Sequence, residues 1–387
     1  MKTKKAIHVV INDFRPDYRV LKEANSIAET GCDTTIFALY KEGFPILEQI
    51  NKVKVRRFNI VTRRLGKNRF ILSLKYLECL VRMTWSGIKE KPDIVHAHDL
   101  SGLLIGYLIA FFVNSNLIYD SHEFFSQSRH VEYHMPLIIN IAKRIEKNIA
   151  CKADAIITVS NGIARELSKV LNIRRPIVIR NVPERSVAPS MLNLRQILRI
   201  PADATILIYI GAILPGRGVE TFLRAFNNLE LQNVYLVFLG SEYMPNWLNV
   251  QLSDDVKHRV KFLPPVHPKD VVPIARQADI GLHAIHGSYI NHQLCLPNKL
   301  FEYIQAGLAV LVTDLPEMAT IVRSYVVGRV FRDRDVDHLE KTMRKMVENK
   351  NMLKKWRMAS KVAAKELVWE KEKHKLLKLY FKLVENV

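Results

Sequence analysis

The sequence predicts an α/β protein of two doubly wound parallel-sheet domains, and three observations carry that prediction. At 387 residues the chain is longer than one hydrophobic core usually serves, so two domains are expected. Short β-branched runs alternate with helix-length segments as far as residue 313. The runs are apolar at successive positions rather than at every second one, as in strands covered by helices on both faces.

In the first half the expected strands are Ala6–Ile11, Thr34–Leu39, Val53–Phe58, Asp93–Ala97, Leu117–Tyr119, Ala155–Val159 and Ile177–Ile179. The apolar run Leu100–Val113 is fourteen residues with two glycines, short of the roughly 20 a bilayer span needs, and reads as a buried helix. The second half repeats the scheme with Thr205–Ile210, Val234–Leu239, Val260–Leu263, Ile280–Ala284 and Ala309–Thr313. Between the halves, near Asn181-Val182-Pro183, lies the expected boundary, giving domains 1–182 and 183–387. Beyond Val336 the pattern is helical and charged. Trp369, Leu376, Leu377, Leu379, Tyr380, Leu383 and Val384 form the apolar face of a terminal helix that can pack back on the first domain. Ligands bind outside the carboxyl ends of such strands, so a cleft between the domains is the expected site.

Composition narrows the class. Hydrophobic residues make up 48% and charged ones 25%, with no low-complexity tract, so most of the chain is expected to fold. Residues Met1–Lys5 are basic, but Ala6–Ile11 is a strand-like run without a signal peptide's apolar core or cleavage site. The four cysteines are far apart, and they read as reduced thiols in a cytoplasmic protein. Net charge is +20, and residues 51–91 hold twelve Lys/Arg, among them Arg63, Arg64, Lys67 and Arg69 with Phe70, Ile71 and Leu74 as apolar neighbours, against Glu78 and Glu90. An anionic membrane surface, nucleic acid or an acidic substrate would explain that segment, and a merely solvated face explains it as well as the membrane does. Nucleic acid ranks lower, since no binding motif for it is present.

Two stretches carry chemistry. Gly211-Ala212-Ile213-Leu214-Pro215-Gly216-Arg217-Gly218 joins a strand to a helix; its glycines allow backbone amides near a ligand, and Arg217 can reach a phosphate. A plain tight turn would look much the same. More informative is Pro297-Asn298-Lys299-Leu300-Phe301-Glu302, closed by Gly307. Pro297 suits a helix start, Asn298 and Lys299 place amides and a cation there, and Glu302 lies one turn deeper, where it can accept ribose hydroxyls. A surface ion pair is the alternative role for Glu302.

With Asp17-Tyr18-Arg19-Val20-Leu21-Lys22-Glu23-Ala24, His96-Ala97-His98-Asp99, Tyr119-Asp120-Ser121-His122-Glu123 and Ala153 to Ser160, these stretches resemble a known family. It is the large retaining glycosyltransferase family of the GT-B fold (group 1, family 4-like), which includes bacterial mannosyl- and N-acetylglucosaminyltransferases. The resemblance spans nearly the whole chain and implies two Rossmann-like domains. It implies donor-binding roles for Gly211, Arg217, Gly218, Pro297, Asn298, Lys299 and Glu302, the last as the second acid of an E-x7-E motif. His122 falls on an active-site histidine, with Asp99 and Glu123 beside it, while Arg15 and Arg19 would face the acceptor. His96, His98 and Asp99 also invite a metal reading, but the family is metal-independent, so packing or acceptor contact ranks first and neither metal nor other cofactor is expected.

This chain departs from the family at three places. Leu294 stands where the first motif glutamate would fall, Ala212 replaces an arginine, and the turn from Asn12 to Pro16 lacks a glycine pair. Lys299 can replace the missing arginine. The expected reaction is transfer of a hexose or aminosugar, with retention, from a nucleotide-sugar to a saccharide or lipid-linked saccharide acceptor, on the cytoplasmic face of a membrane, in surface-polysaccharide synthesis. A nucleotide-sugar 2-epimerase and a non-catalytic nucleotide-binding protein of the same fold are the alternatives.

Overall fold

The computed structural model describes residues 3–385 apart from 16, 67, 124–135, 187–188, 191 and 243–246. The chain divides into two units: one of residues 1–180 with 373–387, the other of residues 181–372.

The first unit is built on eight strands: β1 (Lys5–Val9), β2 (Asp33–Leu39), β3 (Leu47–Ile50), β4 (Val53–Phe58), β5 (Ile94–His98), β6 (Asn116–Ser121), β7 (Ala155–Thr158) and β8 (Ile177–Val178). Their order is β3-β4-β2-β1-β5-β6-β7-β8. All neighbours run parallel except β3, which lies antiparallel on β4 at the edge. The sequence pattern did not point to β3, because an edge hairpin of Leu-Glu-Gln-Ile buries too little to show a continuous apolar run. Strand order reverses between β1 and β5, and their carboxyl ends form the switch point of this sheet. The helix Asp99–Val113 is pressed onto that point through its two glycines. A Cβ on Gly102 would lie 2.7 Å from the Val9 carbonyl oxygen, and one on Gly106 2.7 Å from the Ala97 Cβ.

The second unit has six parallel strands, β9 (Thr205–Ile210), β10 (Val234–Leu239), β11 (Val260–Leu263), β12 (Ile280–His283), β13 (Ala309–Thr313) and β14 (Gly328–Phe331), in the order β11-β10-β9-β12-β13-β14. The last was not foreseen: it is four residues long and starts with a glycine whose Cβ position lies 1.9 Å from the Val310 carbonyl oxygen. Alternation on β12 fixes the local layout. Ile280 and Leu282 join the core with Phe222, Leu339 and Met343, whereas Gly281 is filled by the Tyr303 ring on the opposite face. Here the order reverses between β9 and β12.

The terminal helix Trp369–Glu385 starts in the second unit and from Lys373 belongs to the first. Leu376, Leu379, Tyr380 and Leu383 are buried, and Asn116 Nδ2 donates to the Leu383 carbonyl at 3.1 Å.

No described helix is long and apolar enough to cross a membrane. The helix expected to be buried, Asp99–Val113, exposes Phe111 and Phe112 at its end.

The basic segment 51–91 is less cationic at its surface than its composition suggests. Arg57 is buried against Glu48 at 2.7 Å and the Pro45 carbonyl, and Lys54, Arg56 and Arg82 pair with Asp33, Glu90 and Glu78. Of the remaining cations named from the sequence, Arg63 and Arg64 are exposed, and Lys67 lies outside the described residues.

Candidate functional site

At the switch point of the second unit, β9 runs into Gly211, whose φ of +125° suits glycine. The Lys299 side chain lies directly over it: a Cβ at 211 would sit 2.2 Å from Lys299 Cε and 2.7 Å from Nζ. Lys299 is in the first turn of the helix Asn298–Ala306, whose N-cap is Pro297 and whose amides no side chain caps. The helix Val219–Asn227, opening at Gly218 with φ +76°, also lacks a side-chain cap. Two uncapped helix starts and two cations, Lys299 and Arg217, thus gather at one strand end. Neither cation makes a hydrogen bond or ion pair with a described residue. Burial lowers the Lys299 pKa, with Glu302 opposing and Arg217 adding to the shift. Glu302 offsets part of the burial cost of Lys299, but a half-buried ammonium that forms no ion pair with a described residue is still costly in the absence of an anion.

One acid already occupies part of this turn. Glu220 Oε1 accepts the Gly216 amide at 2.6 Å, so that amide is not free for a ligand. His283, at the end of β12, is 5% exposed, and neither ring nitrogen has a partner. Burial holds its pKa well below 6.5, and Lys299 and Arg217 lower it further.

In the first unit, β5 ends at His98 and the chain turns into a helix through Asp99, a non-glycine residue at φ +55°. Asp99 Oδ1 accepts the His122 backbone amide at 3.0 Å, and its Oδ2 lies 3.5 Å from His122 Nδ1. His122 Nε2 faces Asp120 Oδ2 at 3.2 Å. Burial by itself lowers the His122 pKa, but Asp99 and Asp120 outweigh it and raise the value to about 9, against opposition from Arg19. The two carboxylates thus favour the imidazolium form of this histidine.

The profile described as glycosyltransferase family 4 matches residues 18–182, and that described as glycosyl transferases group 1 matches residues 190–363. The chain belongs to these glycosyltransferases. A putative teichuronic acid biosynthesis glycosyltransferase of Bacillus subtilis is 26% identical over 200 residues, which is 51% of this chain but only 44% of that protein. An uncharacterized glycosyltransferase of Methanocaldococcus jannaschii is 23% identical over 86% of both chains. Among solved structures, sucrose-phosphate synthase from Thermosynechococcus elongatus superposes with a TM-score of 0.81 at 14% identity, covering 99% of this chain and 100% of that one. Anabaena HepE in complex with UDP gives 0.79 at 15% identity, over 98% and 100%. The likeness to solved structures establishes the GT-B fold of this glycosyltransferase.

Within each unit the structure gathers most of the residues singled out from the sequence. Gly211, Arg217, Gly218, Pro297, Asn298 and Lys299 meet at one strand end, with Glu302 one turn along the same helix. Pro297 is the N-cap rather than part of the first turn, because its ψ of 143° is extended. Asp99 and His122 are in direct contact. Glu123 is exposed and is the last described residue before 124. Arg15 is exposed and 3.3 Å from Asp13.

Arg19 requires a correction. Expected at the acceptor, it is instead buried, with Nη2 at 3.0 and 2.9 Å from the two Asp120 oxygens and Nη1 donating to the Ile179 carbonyl. Its place is structural: Asp120, in β6, is buried, and Arg19 from the helix Tyr18–Ala28 is the first of two counter-charges beside it, His122 being the other. Glu23, 3.1 Å from the same guanidinium but out of hydrogen-bond alignment, is pushed up to about 8 by burial, with Arg19 opposing.

His96 and His98 are buried, and with His8 they form a cluster no sequence motif pointed to. Nitrogens of His8, His96 and His98, and separately atoms of Glu23, His96, His98 and Asp120, lie within 4.8 Å of one another. The three rings are stacked or tilted, at 16° to 34° between planes, and His8 Nδ1 is 2.9 Å from His98 Nε2, so these two nitrogens are hydrogen-bonded to each other. An ion at Asp120 would also have to compete with Arg19.

Proposed function

We propose that this glycosyltransferase transfers a hexose or aminosugar, with retained configuration and without a metal, from a nucleotide-sugar to a saccharide acceptor that is lipid-linked. The observation that carries the reading is Lys299, a cation laid across Gly211, in no ion pair with a described residue, beside two uncapped helix starts. That arrangement suits the diphosphate of the donor, and Glu302, one turn along the helix, suits its ribose. The departing diphosphate carries the charge that Lys299, Arg217 and the amide of Asn298 would stabilise. His122, charged and clamped by Asp99, is assigned to the transferred sugar or its phosphate. Relatives support the donor class: Anabaena HepE was solved in complex with UDP, and the Bacillus relative bears a name in teichuronic acid biosynthesis.

The lipid-linked acceptor rests on a membrane-facing helix. The helix Arg69–Glu90 leaves Leu77, Val81 and Trp85 exposed at successive i, i+4 positions, with Leu72 exposed a turn earlier. Lys89 lies over the Trp85 ring at 5.0 Å. Exposed Arg63 and Arg64 add charge nearby in the chain. Such a stripe is the form of an interfacial helix on an anionic surface, the cytoplasmic leaflet in this reading. These residues replace the half-buried Ile71 and Leu74 as the apolar contact; the side chains of Arg69 and Phe70 lie outside the described residues.

The test is calorimetry with UDP, GDP and ADP on the wild type and on Lys299→Met, followed by donor turnover with and without membrane extract. Diphosphate binding that depends on Lys299, with turnover that requires the extract, is expected. Binding without any extract-dependent turnover would favour the non-catalytic alternative, which Leu294 and Ala212 keep in view.

A further inference from the structure

Five side chains of the first unit form a ring of contacts around Asp120, hydrogen-bonded in sequence from His122 through His98, His8 and Tyr380 to His96. His122 Nε2 is 3.1 Å from His98 Nδ1; His98 Nε2 is 2.9 Å from His8 Nδ1; His8 Nε2 is 3.3 Å from the Tyr380 hydroxyl. That hydroxyl is 2.8 Å from His96 Nδ1, and His96 Nε2, which has no hydrogen-bond partner, lies 3.7 Å from the same Asp120 Oδ2 that faces His122. Apart from His122 every member is buried.

The charge on Asp120 favours one direction around this ring. Asp120 is a carboxylate: burial works against its ionisation, but Arg19 and His122 hold its pKa well below the usual range. His122 Nε2, facing that carboxylate, must then carry a proton. His98 Nδ1 cannot donate to it and accepts instead. A neutral imidazole carries one N–H, so His98 has its proton on Nε2 and donates to His8 Nδ1. His8, by the same count, donates from Nε2 to the Tyr380 oxygen. The hydroxyl proton turns to His96 Nδ1, and His96 presents Nε2–H to Asp120. The opposite direction would turn the His96 Nε2 lone pair toward the carboxylate and set a proton on His98 Nδ1 against the one on His122 Nε2, 3.1 Å away. Burial keeps His8, His96 and His98 neutral, as the count requires.

We propose that Tyr380, His8 and His98 are positioning residues for His122, forming a one-way hydrogen-bond chain that holds a proton on Nε2 and leaves Nδ1, on the Asp99 side, to act on a ligand. Tyr380 comes from the segment 373–387, so the end of the chain sets the state of a histidine more than two hundred residues away. The inference rests on the reading of His122 as the reacting histidine only for its consequence in catalysis. The other ionisable groups around the ring are Arg19 and Glu23 from the helix Tyr18–Ala28, Asp17 before it, Cys32 before β2 and near Tyr380, Asp99 from the helix after β5, and Glu146, which bonds Tyr119 at 2.7 Å.

The first test uses the unmodified full chain. Nitrogen NMR of the imidazoles should find His8, His96 and His98 each protonated at Nε2 and bare at Nδ1, and a proton on Nδ1 of His98 or His8 overturns the proposal. The second removes one hydroxyl. In Tyr380→Phe, His8 is released to either tautomer, His98 Nδ1 becomes a weaker acceptor, and the titration midpoint of His122 should fall by about half a unit or more. A midpoint equal to the wild type's, in a variant whose spectrum shows the native fold, also overturns it. Both readings are made without substrate, so an error in the catalytic assignment of His122 leaves them unaffected and appears only in turnover assays.

Discussion

Lys299 and Gly211 are in contact so close that the glycine has no room for a methyl group: a Cβ there would meet Lys299 Cε at 2.2 Å. Gly211→Ala should therefore displace the ammonium as well as strain a backbone at φ +125°. Both Gly211→Ala and Lys299→Met are expected to weaken nucleoside diphosphate binding by about 1.5–3 kcal/mol, roughly ten- to hundredfold, as for loss of a hydrogen bond to a charged group. Calorimetry with folded variants decides it, and unchanged affinity would remove the diphosphate from this corner.

Glu302 is assigned to the ribose, one turn inside the helix that begins at Asn298. Glu302→Ala should weaken binding of a nucleoside diphosphate by about 1.5–3 kcal/mol but leave affinity for inorganic pyrophosphate, which has no ribose, near the wild-type value. Equal losses for the two ligands would reassign Glu302 to holding the helix.

Arg19 and Asp120 make a buried, doubly hydrogen-bonded pair. Arg19→Met should cost about 3–5 kcal/mol of stability in urea unfolding, because it strands a buried carboxylate. An arginine serving the acceptor would instead leave stability unchanged and raise KM.

His122 has a pKa raised from 6.5 to about 9 by Asp99 and Asp120 acting against its burial. The native state thus binds the proton more tightly than the unfolded chain. The resulting stability is fully present below pH 6.5 and is lost as the pH rises through about 9. The urea midpoint of the wild type should decline relative to that of His122→Gln across this window; parallel curves would mean that the histidine is neutral. In the same reading, His122→Ala lowers turnover far more than affinity for bare nucleotide.

The stripe Leu77, Val81 and Trp85 predicts attachment to vesicles containing phosphatidylglycerol. Serine at all three positions should abolish sedimentation with such vesicles, and glutamine at Arg63 and Arg64 should make attachment weaker and more easily released by salt. Diphosphate binding should be unaffected. Sedimentation that survives both sets of changes would place the membrane contact elsewhere.

The amino-acid order alone determined the class of fold. Runs such as Thr205–Ile210 and Ala309–Thr313 are apolar at every position because both faces of a parallel strand are covered, and that pattern is local. It likewise marked the helix start at Asn298 and its end at Gly307, since an N-terminal proline and a left-handed glycine are choices of the backbone itself. The edge strand β3 and short β14 escaped because their stability comes from neighbours rather than from their own composition.

What the tertiary structure decided is which charges face one another. Arg19 and Arg15 are four residues apart, yet one is buried on Asp120 and the other exposed, a distinction that depends on a strand end a hundred residues away. Likewise His8, His98, His122 and Tyr380 share no motif, and only the register of β1 with β5 and the return of the terminal helix bring them into one ring. Periodicity reports whether a side chain is turned inward, whereas its partner and its proton depend on distances of a few ångströms between elements remote in sequence.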